Sequence, residues 1–320
     1  MKRIFSFIVT LFLVIGVFSG CKTAKSNADL KIVTTSFSAY DWTRNILGDN
    51  FENTDLMLIS DNGVDMHSYQ PTAEDIVKIS TADIFIYVGG ASDDWTKHAL
   101  KNTNNSNTIV INMLDSVGEF ALGEEIVEGM EHQHGEEDAE HGNEFDEHIW
   151  LSLKNAEIIC GEIKEALCKV DNENAEQYNK NFNTYKGKLE ALDTQYKETL
   201  QKSNKKPLVF ADRFPFRYFT EDYKISYYAC FPGCSTETDA SFNSVIFLAN
   251  NIDKNEIKYI FVIEGSDKKI AKTVVKNTTL KNQEILTLNS MQSVTKDQIE
   301  NGLTYLSVME KNISLIIKAL

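Results

Sequence analysis

NAEQYNKNFNTYKGKLEALDTQYKETLQ, residues 174–201, carries Tyr178, Phe182, Tyr185, Leu189, Leu192, Tyr196 and Leu200 at steps of four, three, four, three, four and four. That spacing keeps one apolar stripe on one face of a continuous helix. At 1.5 Å per residue the helix reaches roughly 40 Å, the height of two stacked lobes. The stripe is read as a core-facing surface with no cofactor role. A rigid connection of this kind, unlike a Gly/Ser hinge, predicts little closure of the parts it joins.

On its N-terminal side, short β-rich runs at 31–35, 55–59, 83–88 and 108–111 alternate with helical patterns at 39–47, 73–80 and 95–102. On its C-terminal side, runs at 207–210, 225–228, 259–263 and 284–288 alternate with helical patterns at 242–250, 268–276 and 298–320. Strand and helix in alternation predict a mainly parallel sheet in each half. About 290 residues are more than one core usually serves, which also favours two lobes. The predicted class is therefore α/β: two (β/α) lobes with mainly parallel sheets, joined by a long rigid helix.

The chain opens with MKR, continues almost wholly apolar over 4–18, and reaches FSGC at 18–21. This is an export signal, too short and too close to its small-residue site for a membrane span, which needs about 20 residues. Its end resembles a bacterial lipobox, although Phe18 stands where Leu is usual. That resemblance implies cleavage before Cys21 and acylation of Cys21, placing the chain on the outer face of a bacterial cytoplasmic membrane. The expected divisions are a lipoprotein signal at 1–20 and a tether at 21–29. An N-terminal lobe at 30–153, with a His/Glu-rich loop at 128–145, is followed by a helical segment at 154–204 and a C-terminal lobe at 205–320. The formal charge of −15 argues against nucleic acid and anionic lipid as partners and mildly favours cations.

Five of the six histidines lie in a limited span: His67 in DMHSY (65–69), His148 in DEHIW (146–150), and His132, His134 and His141 between them. Imidazole is a common ligand for zinc and its neighbours, and ligands far apart in sequence suit a site assembled between elements of a fold. His98 falls outside this pattern. The acidic loop carrying His132, His134 and His141 has little apolar content and is expected to be disordered without metal.

GVDMHSYQPT (63–72), the His/Glu loop, EHIWLS (147–152), the long helix and a second α/β half follow one another in an order that resembles the zinc and manganese substrate-binding lipoproteins of bacterial ABC importers, the ZnuA/TroA type. The resemblance covers essentially the whole mature chain. It implies one metal in the cleft between the lobes, with His67 and His148 as ligands from the first lobe. It also implies an auxiliary, zinc-gathering role for His132, His134 and His141, a loop that manganese-specific members generally lack.

For the second lobe the pattern departs. In FADRFPFRYF (210–219) a gapless count puts Arg213 on the ligand position, and a guanidinium has no lone pair to donate. Asp212, one residue earlier, is the expected third ligand, with pairing to Arg213 or Arg217 as its structural alternative. Asn289 stands where Asp is expected and is a possible ligand, suited to a harder ion. Glu237 and Glu264 also match acidic positions of the family, Glu237 being a second possible ligand. Cys230 and Cys234 flank Phe-Pro-Gly, a turn that would allow a disulfide outside the cytoplasm. That bridge, or a buried free thiol, is preferred over a thiolate in the metal site.

The expected function is non-enzymatic capture of Zn²⁺ and its delivery to a permease driven by an ATPase. The same scaffold with Mn²⁺ or Fe²⁺ is the first alternative, and a surface adhesin with a structural metal is another. A zinc hydrolase is disfavoured, since no His-Glu-x-x-His spacing or separate general base accompanies the histidines.

Overall fold

The computed structural model describes residues 30–101, 103, 105–130, 145–203, 206–235 and 239–320. The signal, the tether with Cys21, most of the His/Glu loop with His132, His134 and His141, and Glu237 lie outside the described residues.

The first lobe is built from β1 (Leu30–Thr34), α1 (Phe37–Leu47), β2 (Thr54–Leu58), α2 (Ala73–Ser80), β3 (Ile84–Tyr87), α3 (Thr96–Lys101), β4 (Ile109–Asn112) and α4 (Met113–Val117). Its four strands are all parallel, in the order β2-β1-β3-β4. Ile32 and Val33 of β1, and Ile84, Phe85 and Ile86 of β3, are fully buried because helices cover both faces of the sheet. Two helices follow, α5 (Leu153–Val170) and α6 (Ala175–Gln201).

The second lobe repeats the first with β5 (Leu208–Phe214), α7 (Arg217–Tyr223), β6 (Tyr227–Pro232), α8 (Phe242–Lys254), β7 (Tyr259–Ile263), α9 (Lys269–Asn277), β8 (Glu284–Leu288), α10 (Lys296–Glu300) and α11 (Tyr305–Ala319). The strand order β6-β5-β7-β8, again parallel, matches that of the first sheet. In each sheet the chain turns back beside its first strand, so the carboxyl ends of β1, β3, β5 and β7 are where a ligand crevice forms.

The linking helix has the predicted bounds to within one residue. Six of its seven stripe residues are buried, Phe182 being the partly exposed one. It is fastened to both lobes. Asn181 Nδ2 donates to the Ile46 carbonyl of the first lobe at 2.9 Å, and the Tyr196 hydroxyl donates to the Met309 carbonyl of the second. The first fastening requires Gly48, whose φ is +57°, since a Cβ there would lie 2.4 Å from Asn181 Nδ2. One continuous apolar core runs from Ile32 through Trp150 and Leu192 to Ile316, so the lobes share an interior.

Three expected bounds differ. Strand β5 runs on through Asp212 to Phe214, with a β-bulge between Phe210 and Arg213. Strand β6 is shifted to Tyr227–Pro232. The helix expected at 298–320 is two helices, because Gly302 at φ +87° ends the first and a capping box at Thr304 and Ser307 starts the second.

Helix α11 begins against the first lobe. The Tyr305 backbone N–H donates to Asp41 Oδ2 at 3.0 Å, its ring meets Trp42 edge-on at 5.0 Å, and its hydroxyl donates to the Trp150 carbonyl at 2.6 Å. Burial pushes the Asp41 carboxyl up to about 6, against the lowering pull of the Tyr305 N–H, Arg44 and Lys188. Its unfolded value is near 3.9. Between these values the folded chain binds the extra proton, so stability falls as pH rises from about 4 to about 6. Asp93, also pushed up to about 6 by burial, adds a slope of its own, and the discriminating quantity is the difference between parent and Asp41→Asn. Urea denaturation across that window should show the parent losing on the order of 2 kcal/mol relative to the variant. A pH-independent difference would contradict the assignment.

Candidate metal centre

His67 lies in a single 3-10 turn, Met66–Ser68, that follows β2. Asp65 caps the turn, its Oδ1 accepting from the His67 N–H at 3.0 Å, while its Oδ2 pairs with the Arg213 guanidinium across the cleft. For Asp65, burial raises the carboxyl, but its bonds to Arg213 and His67 outweigh this and the net shift is downward. The Met66 N–H donates to the Gln292 carbonyl and the Gly63 N–H to the Val294 carbonyl, both at 3.2 Å, so the segment bearing His67 is stitched to the second lobe. His67 Nδ1 is 2.6 Å from the Ser92 hydroxyl and 3.6 Å from Glu147 Oε2.

His148 precedes a second 3-10 turn, Ile149–Leu151, and is fully buried. Its backbone N–H and its Nδ1 both donate to Asp146 Oδ1, at 2.8 and 2.9 Å. With Nδ1–H engaged by a carboxylate, Nε2 carries the lone pair, the arrangement that orients a metal-binding imidazole.

The two Nε2 atoms point at each other, 3.1 Å apart. Two imidazole nitrogens bound to one tetrahedral zinc ion lie about 3.3 Å apart, given Zn–N bonds of about 2.0–2.1 Å. The pair is already spaced as such an edge. Burial, reinforced by the facing His148 and by Arg213 and opposed by Asp65, lowers the His67 imidazole to about 3. The ring is therefore neutral at physiological pH, with its lone pair free for a cation.

Gln292 closes the pair from the second lobe, its Nε2 3.0 Å from His67 Nε2 and also in contact with His148 Nε2. Its Oε1 is buried without a hydrogen-bond partner, as is Glu147 Oε2 beside His67. Glu264 holds Gln292 in place, accepting from the Gln292 N–H at 3.0 Å and from the Ser290 hydroxyl and N–H at 2.7 Å each. Sequence reasoning passed over Gln292, although it stands only three residues beyond Asn289.

Cys234 is the third member of the one cluster of metal-binding groups found among the described residues. Its sulfur and one ring nitrogen of each histidine all lie within 4.8 Å of one another. Gly233 permits the approach, since a Cβ there would stand 2.8 Å from His148 Cε1. Burial, with Asp146, Glu147 and Glu124 nearby, raises the Cys234 thiol strongly. The disulfide to Cys230 is not formed: both are free thiols, and Cys230 is buried in the second lobe's core with its thiol pushed up to about 12.

Asp212 and Asn289 do not join this cluster. Asp212 Oδ1 accepts from the Arg213 N–H at 2.9 Å and Oδ2 from the Ile263 N–H at 3.3 Å, so the carboxylate braces the bulge of β5 against β7. Arg213 is turned to Asp65 rather than to Asp212. Asn289 Oδ1 accepts from the Met291 N–H at 2.8 Å, and its backbone is paired with the Asn312 amide. A hollow of about 420 Å³ lined by Asp65, His67, Asp212, Arg213, Ser235 and Asp267 opens from the cluster to solvent. Asp212 faces that approach. The larger hollow of about 590 Å³ beside Tyr40 and Lys296 includes neither His67 nor His148.

Two parallel-sheet lobes of equal strand order, pinned by one long helix around a buried His pair in the cleft, define a helix-bridged, two-lobed metal-binding scaffold. The chain belongs to the ZnuA family, described as zinc-uptake complex component A, periplasmic, whose model matches residues 32–319. It is 31% identical over 299 residues to the zinc-binding lipoprotein AdcA of Streptococcus pneumoniae, covering 92% of this chain but 57% of that protein. The chain thus spans little more than half the length of that relative. It is 28% identical over 313 residues to the high-affinity zinc uptake system protein ZnuA of Bacillus subtilis, covering 94% of this chain and 93% of that one. The Zn(II)-bound ZnuA-like domain of Streptococcus pneumoniae AdcA superposes with a TM-score of 0.70 at 27% identity, over 91% of this chain and 98% of that domain.

Proposed function

We propose that this protein captures Zn²⁺ outside the cytoplasm as the cargo of an ABC importer and hands it to a permease driven by a cytoplasmic ATPase. The observation that carries the reading is the facing pair of imidazoles with buried side chains, His67 and His148, with Nε2 atoms 3.1 Å apart. Membership of a zinc-uptake family supports it. Capture and release require no bond-making chemistry, and the protein is read as a carrier rather than an enzyme. Anchoring through a lipid on Cys21 would keep the carrier at the outer face of the membrane; among the described residues no helix is long and apolar enough to cross one. His132, His134 and His141 are assigned an auxiliary, zinc-gathering role.

Zinc is favoured over Mn²⁺ or Fe²⁺ because the donors at the cleft centre are nitrogen with sulfur nearby, while the acids Asp212 and Glu264 are spent on backbone and hydroxyl groups. Competition on the purified mature protein tests this. One tightly held zinc per chain, not displaced by excess Mn²⁺, with an apoprotein that stays folded, is the expected result. Preference for Mn²⁺ would overturn the zinc assignment, and unfolding on metal removal would favour a structural metal as in the adhesin reading.

A further inference from the structure

We propose that Cys234 is the second lobe's donor to the cleft metal, binding as a thiolate and making the site selective for thiophilic ions. The proposal rests on the reading that the cleft holds a metal, and specifies what completes it.

Among the described residues the geometry leaves two groups facing the histidines on that side, Cys234 and Gln292, and Gln292 offers only a neutral amide oxygen, a poor donor to zinc. Asp212 is tied to two backbone N–H groups, Glu264 to three donors of the 290–292 segment, and Asn289 to its own turn. Arg213, on the position counted as ligand, is a cation paired with Asp65. Among the described His, Cys, Asp and Glu side chains of the second lobe, Cys234 is the one whose ligand atom clusters with a ring nitrogen of each histidine, all within 4.8 Å of one another. In a tetrahedral zinc site a sulfur at about 2.3 Å from the ion stands about 3.5 Å from each nitrogen. From a separation of at most 4.8 Å, the sulfur closes a gap of up to about 1.3 Å, the scale of a side-chain adjustment.

The loop is shaped for that approach. Gly233 lies against the His148 ring where any Cβ would collide, and the Cys234 N–H is held by Glu124 Oε1 at 3.2 Å. On metal binding the S–H bond breaks, its electron pair becomes the S–metal bond and the proton leaves to solvent. Charge balance improves as well, because one thiolate offsets half of a divalent cation between two neutral imidazoles. A soft sulfur donor discriminates against Mn²⁺, which prefers oxygen, and so explains selectivity at a site whose second-lobe carboxylates Asp212 and Glu264 are otherwise engaged. Cys230 sits behind this loop in the core and is no part of the donor set.

The test is titration of the reduced, metal-free mature protein with Co²⁺ as the probe. Thiolate bound to Co²⁺ gives an intense near-ultraviolet charge-transfer band, whereas imidazole alone does not. The expected result is that band at one equivalent in the parent and in Cys230→Ser, and its loss in Cys234→Ser with Co²⁺ still bound by the histidines. A parent protein that binds Co²⁺ without the band, or a band that survives in Cys234→Ser, overturns the proposal while leaving metal capture standing. A parent that takes up no Co²⁺ overturns both. The parent spectrum decides the matter even if the serine variant fails to fold.

Discussion

His148→Ala lowers zinc affinity by roughly 100- to 1,000-fold, measured by competition with a chromophoric chelator, and leaves no zinc bound after dialysis. The magnitude follows from the ~10–16 kcal/mol of a complete structural zinc site, shared among its four donors. His148 is fully buried and its Nδ1 is fixed by Asp146, so its Nε2 is held in place at the cleft centre. The apoprotein should still fold, because Asp146 keeps its bond from the residue 148 backbone. His67→Ala should behave alike. His98→Ala, on the exposed surface of α3, should leave affinity unchanged and serves as the control. Retained zinc stoichiometry in both His67→Ala and His148→Ala would remove the basis of the proposed site.

The second large effect is on stability. Trp150→Ala should cost about 3–5 kcal/mol in urea denaturation, the range for emptying a large aromatic site in a core. Trp150 is 1% exposed and sits where the lobes meet. Its indole Nε1 donates to the Ser290 carbonyl at 2.8 Å, and its own carbonyl accepts from Tyr305. It also packs beside His148, with ring centroids 5.4 Å apart, and anchors the strand end that leads to Gln292. Loss of this side chain should therefore weaken zinc binding along with the fold. Phe242→Ala, at a residue 76% exposed, should change stability by less than about 0.5 kcal/mol. A similar loss at both positions would mean that the interlobe contact carries no special weight.

Much of the scaffold was legible because its signals are local. The stripe from Tyr178 to Leu200 is periodic over about six turns of helix, and packing buries the same face that the period marks. The eight strands are short apolar runs between turn residues, which is how strands covered on both faces read. The break in the C-terminal helix was also written locally, in Gly302 and the Thr304 cap, but the apolar pattern on either side outweighed those signs.

The second-lobe half of the site was not legible in the same way. Asp212 was expected to coordinate because it is an acid beside the ligand position. In the fold its carboxylate also accepts from the Ile263 N–H, from a strand about fifty residues on, and no local pattern encodes that bond. Cys234 reaches the histidines only because the loop after β6 crosses to the first lobe over a glycine, a property of the assembled fold. The turn around Pro232 suggested a partner four residues away, and the fold supplied partners 86 and 167 positions away instead. His67 and His148, by contrast, each carry their orienting carboxylate two residues upstream, as Asp65 and Asp146, so each half of the first-lobe pair is encoded by its own short segment.

A zinc-loaded crystal of the mature protein, measured on both sides of the zinc absorption edge, tests the central claim most directly. The account predicts one strong anomalous peak in the cleft, about 2.0–2.1 Å from both His67 Nε2 and His148 Nε2. A peak bound elsewhere, on Asp212 and Asp267 in the approach or on the His132–His141 loop with the two Nε2 atoms still facing each other unbridged, would contradict it.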